Sequence, residues 1–199
     1  MDEIKLLIKG QEKNSFVVHY SCNGFYGGGS VAPTICAIAI VNLKTNELHS
    51  FSLQNYIIQG KCLVEAEKQL LEDFINFFNS LKNPIFIHWN MAGLEYGFKA
   101  IRARCENFGF YDVSFNDLKT IDFNLVTSRS LIWLLKEYYC DSLDVLSGKE
   151  ELHCFEKRNF NAVKLSTEAK TKGLRKVVNL FLKDEIDFGV IYEQDSTKT

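Results

Sequence analysis

A chain of 199 residues with 46% hydrophobic and 24% charged content can bury one substantial α/β core as a single domain. Its formal net charge of −2 excludes a globally basic nucleic-acid binder, so any phosphate-binding surface has to be local. The six cysteines, at 22, 36, 62, 105, 140 and 154, form no C-x-x-C pair and read as small reduced residues of a cytoplasmic protein. No charged-then-apolar leader and no apolar run of about 18 residues is present, which predicts neither secretion nor a membrane span.

In chain order, residues 15–20 and 34–41 read as two strands. Lys44-Thr45-Asn46-Glu47 supplies a hairpin turn, with Asn and Thr suited to its backbone angles, and Leu48–Leu53 returns as a third strand. After a polar loop, Val64–Leu81 carries a wide apolar stripe and predicts a helix. Pro84 then opens the short apolar run Ile85-Phe86-Ile87-His88-Trp89-Asn90, a buried strand, and Leu94, Phe98, Ile101 and Cys105 follow at helical spacing. Leu118–Phe123 predicts a further strand, Leu125–Tyr139 a helix, 141–165 irregular or partly helical chain, and about Thr167–Leu182 a last helix. Gln194–Thr199 reads as a frayed tail after one domain over 1–193. A three-strand meander followed by alternating helices and strands predicts a mixed sheet flanked by helices.

His88 and Asn90 fall at the carboxyl end of a strand, where open α/β sheets hold their ligands. The alternative is that both only hydrogen-bond the turn while Trp89 fills the core. Gly27-Gly28-Gly29-Ser30 has neither the dinucleotide nor the P-loop spacing. It reads as a hairpin loop, or as a loop at the mouth of a site with Phe25 and Tyr26 placed to stack on a base. Ser21 with His19 or His88 lacks a nucleophile elbow.

The strand ending in His88-Trp89-Asn90, with Ser15–Phe25 and Ile35–Asn42 before it, resembles the frame of the DEDD-type 3′→5′ exonucleases, a branch of the ribonuclease-H-like superfamily. The resemblance implies a ribonuclease-H-like fold and a cleft in which carboxylates hold two divalent cations about 4 Å apart. It places the first-motif acids at His19 and Ser21. The second falls at Leu94, with Glu95 one place on, and the third within Ser166–Lys176, whose one acid is Glu168. The acids are therefore replaced, and the resemblance implies a catalytically degenerate module that binds nucleic acid or serves as a subunit of a protein complex. An active divergent nuclease using Mg or Mn on displaced ligands, with His19, His88, Glu95 and Asp122 as candidates, is one alternative. A purely structural adaptor is the other. Asp122 ends a strand and suits either a cleft or a helix cap. Lys99 and Arg102 add a basic face after His88, and Lys170, Lys172, Arg175 and Lys176 concentrate charge near the expected start of the last helix. Such a cluster either binds phosphate without a metal or is a solvated face.

Overall fold

The computed structural model describes residues 2–24, 32–93, 96–111, 118–139, 144–186 and 188. The first element is a short helix, α1 (Asp2–Ile8), absent from the sequence-based expectation because only Ile8 is buried and no apolar stripe marks it. Five strands follow at intervals: β1 (Ser15–Cys22), β2 (Ile35–Asn42), β3 (Leu48–Ser52), β4 (Ile85–His88) and β5 (Lys119–Asp122). They form one sheet in the order β3-β2-β1-β4-β5. β1, β2 and β3 pair antiparallel, whereas β1 with β4 and β4 with β5 pair parallel. The expected α/β architecture, a mixed five-stranded sheet flanked by helices, is therefore present.

Period-2 alternation sends β1 to two different cores. Phe16, Val18 and Tyr20 join one apolar cluster with Leu70, Leu71, Phe74 and Phe78 of α3 (Leu63–Ser80). Val17 joins the other, with Ile87, Ile121 and helices α5 (Leu131–Tyr138) and α7 (Phe160–Leu182). Burying each large aliphatic or aromatic side chain stabilises the fold by about 1.5–3 kcal/mol, which is why the fully buried β1 and β2 rather than the half-covered β3 fix the register. His19 and Ser21 share the face of Val17, so the same alternation turns them toward α7.

Four expected boundaries change. The loop after β3 contains a short helix, α2 (Leu53–Ile57). The helix after β4, α4 (Phe98–Asn107), starts at Phe98 rather than near Leu94, because Gly97 at φ 119° sets its entry. Leu125–Tyr139 is not one helix: a single 3-10 turn (Phe123–Val126) precedes α5, which Ser130 caps by accepting from the Trp133 N–H at 3.2 Å. The segment 141–165 holds α6 (Gly148–Glu156) and the beginning of α7, capped by Asn159 accepting from Ala162 N–H. α7 runs antiparallel to β1 across the sheet and packs closely on α5. A Cβ added at Gly173 would meet Leu135 Cδ2 at 2.3 Å. The expected tail Gln194–Thr199 lies outside the described residues. Among the described residues no helix is long and apolar enough to cross a membrane.

Candidate functional site

At the carboxyl ends of β1 and β4 the sheet opens into a cavity of about 670 Å³. The β1 end contributes His19 and Ser21, the β4 end Trp89 and Asn90, and α7 contributes Lys170. The first turns of α5 and α6 close the far side, with Leu131, Ile132, Lys149 and Leu152 on the wall. Its volume suits a small ligand or the end of a larger one.

The floor is a buried polar network. Lys170 and Glu151 are 4% and 7% exposed, and Lys170 Nζ lies 2.7 Å from Glu151 Oε1. Ser166 Oγ donates to the same oxygen at 2.6 Å and accepts from Leu146 N–H at 3.0 Å. The chain therefore delivers a cation to the cleft together with its counterion, the arrangement in which a buried charge is tolerable. Ser21 Oγ lies 2.8 Å from Thr167 Oγ1, and Thr167 donates its own proton to Val163 O at 2.8 Å. Ser21 is thus the donor to Thr167, and no base holds its proton for nucleophilic attack.

His19 is 6% exposed, and its Nδ1 is buried with no partner among the described residues. Burial, and after it the Lys170 charge, hold His19 well below its ordinary value of 6.5, so the ring is neutral at pH 7. His88 is lowered too, by burial first, with Asp122 opposing. Its Nδ1 accepts from Met91 N–H at 3.2 Å, while its Nε2 has no partner among the described residues.

The pH dependence of stability follows from these two rings. In the unfolded chain both histidines take protons near 6.5, whereas the folded chain resists them, so the unfolded state binds more protons below that value. Stability is full above about pH 6.5 and falls as pH drops below it, by up to about 1.4 kcal/mol per pH unit for each ring. Thermal unfolding measured from pH 7.5 to 5.0 is expected to show this decline, and His19→Asn to make it shallower. A melting temperature flat across that window in the wild type would refute the assignment.

The candidate residues separate. His19 reaches the cleft; His88, wholly buried, does not line it and instead shapes the turn after β4. Asn90, exposed at φ 53°, lines the cleft. Asp122 pairs in register with His88, but its Oδ1 accepts from Asn90 N–H at 2.8 Å and Asn124 N–H at 3.1 Å, the cap reading of this residue. Glu95, Phe25, Tyr26 and Gly27–Ser30 lie outside the described residues. Lys99 is exposed on α4, and Arg102 donates to Glu106 on the same helix at 2.8 Å.

The basic cluster is corrected most. α7 starts at Phe160, so Lys170–Lys176 sit in the helix middle, where no first-turn dipole acts. Lys170 belongs to the cleft floor, whereas Lys172, Arg175 and Lys176 surround a different cavity at the other end of the sheet. Glu151 is the cleft residue that sequence reasoning missed. Its signal was the Ser147/Glu150 capping box, which starts a helix and thereby turns the next acid inward.

No protein-family model matches this chain, and no curated protein matches its sequence. The two divalent cations implied by the exonuclease resemblance do not suit the residues present. The first-motif positions hold an imidazole and a hydroxyl, His19 and Ser21, the second-motif position lies outside the described residues, and among the described residues no three His, Cys, Asp or Glu side chains converge. A neutral ion pair, a buried imidazole nitrogen without a partner among the described residues and apolar walls instead line the cleft.

Proposed function

We propose that this protein is a catalytically degenerate exonuclease-like module of ribonuclease-H-like fold that binds nucleic acid at the cleft between β1, β4 and α7. The observation that carries this reading is the buried Lys170–Glu151 pair, in which Lys170, from the segment Ser166–Lys176 of the third motif, neutralises the one carboxylate among the described residues that line the cleft. With its carboxylate already neutralised by Lys170, the floor lacks the net negative charge that two divalent cations require, which favours holding a ligand over metal-dependent cutting. The sheet order and strand directions support the same reading, since two parallel partners on one side of β1 and an antiparallel meander on the other form the frame it needs.

The test mixes purified protein with labelled single-stranded DNA and RNA in the presence of Mg or Mn. Binding without shortening of either strand is expected, with affinity reduced several-fold by Lys149→Glu at the cleft rim. Products that vanish in Glu95→Ala or Asp122→Ala would overturn the degenerate reading in favour of a divergent nuclease. Absence of binding at every salt concentration would favour the adaptor.

A further inference from the structure

The opposite end of the sheet holds a second concave surface. The β2–β3 turn and the later half of α7 enclose a cavity of about 870 Å³, lined by Lys44, Lys172, Arg175, Lys176 and Lys183 against one carboxylate, Glu12. This concentration runs against the whole chain, whose formal net charge is −2. None of the five cations has a carboxylate within ion-pair distance among the described residues, whereas Arg102, Arg104, Lys164 and Lys170 each do. Four lysines converge with an arginine around one hollow.

Arg175 is fixed in place. Its Nε donates to Asn42 O at 3.1 Å and Leu43 O at 3.0 Å, which holds the guanidinium at the strand edge. Lys172 and Lys176 on α7 and Lys183 at its C-cap follow at spacings of four and seven, a stripe about 16 Å long at 1.5 Å rise per residue. The helix C-terminus accounts for Lys183, since cations there complement the dipole, but it does not account for Lys44, Lys172 or Lys176, which lie outside the last turn.

We propose that this groove is a second binding surface, separate from the cleft, for the phosphate backbone of single-stranded nucleic acid. Converging cations neutralise successive phosphates without reading sequence. Tyr139, half-buried on the groove wall, supplies the aromatic element that distinguishes a nucleic-acid groove from a merely basic one. The choice of nucleic acid as ligand rests on the function proposed above; the location does not, because no residue lining the groove lines the cleft.

The experiment measures anisotropy of labelled dT20 and U20 with the full chain between 50 and 300 mM salt. Lys172→Glu/Lys176→Glu is compared with Lys172→Arg/Lys176→Arg and with Lys149→Glu in the cleft, each checked for an unchanged melt. The Glu pair is expected to weaken binding at least tenfold at low salt. It is also expected to flatten the plot of log affinity against log salt by about 1.4, two contacts at roughly 0.7 each for single strands. The Arg pair is expected to keep both. If the Glu pair changes neither affinity nor slope while Lys149→Glu lowers affinity, the groove assignment is overturned and the cleft reading stands. If the wild type binds no oligonucleotide, both fall. If the groove instead captures polyglutamate and the oligonucleotides do not displace it, the surface belongs to an acidic protein and the proposal is overturned.

Discussion

Gly97→Ala is expected to destabilise the protein by more than about 4 kcal/mol, lowering its melting temperature by about 8–16 °C for a domain of this size. Gly97 has φ 119° and ψ −149°, a conformation that side chains disfavour by about 1–3 kcal/mol. The larger part is steric. A Cβ there would fall 1.8 Å from Met91 O and 2.4 Å from Met91 C, and backbone cannot yield as a side-chain tip can. The same residue donates its N–H to Tyr20 Oη at 2.8 Å, and the Phe98 N–H reaches Met91 O at 3.2 Å. Moving Gly97 therefore disturbs the loop after β4, the entry of α4 and the Tyr20–Tyr96 stack, whose rings lie 4.4 Å apart. Gly60→Ala provides the control, because Gly60 has φ 85° with nothing within 4 Å of its added Cβ. It is expected to cost only about 1 kcal/mol. Equal losses of melting temperature in the two variants would sink the steric explanation.

Lys170→Met is expected to cost about 3–5 kcal/mol, because the Glu151 carboxylate is left buried beside a thioether. Ser166 remains as one donor to that carboxylate, which one hydroxyl does not neutralise. Adding Glu151→Gln should restore most of the loss, since a neutral amide still accepts from Ser166 and has little need of a cation. The double-mutant cycle, read by denaturant midpoint, is thus expected to show strong coupling. Independent, additive losses would mean that the ion pair does not organise the cleft floor. Because the pair is buried, its contribution should persist at high salt, unlike that of the exposed Arg102–Glu106 pair.

The mixed-sheet frame was legible in β1, β2 and β4 because their apolar runs are bounded by polar turns. α7 was half-legible. Leu174, Val177, Val178 and Phe181 give a clear stripe, but its earlier buried face carries Ser166, Thr167 and Thr171. Those hydroxyls are buried because they bond Glu151, Val163 O and Thr167 O, so their inward direction leaves no trace in hydropathy. The beginning of the helix was lost for that reason, and with it the true position of the basic cluster.

By itself the sequence determined the succession of strands and helices along the chain, a mixed sheet flanked by helices, and the place of His19 and Ser21 on β1, all of which follow from local pattern. Only the tertiary structure decided that Lys170 meets Glu151, that His88 turns away from the cleft, and that Lys172, Arg175 and Lys176 lie at the other end of the sheet. Partners 19 residues apart, as Lys170 and Glu151 are, meet through helix packing, and no periodicity along the chain records which side chains two packed helices bring together.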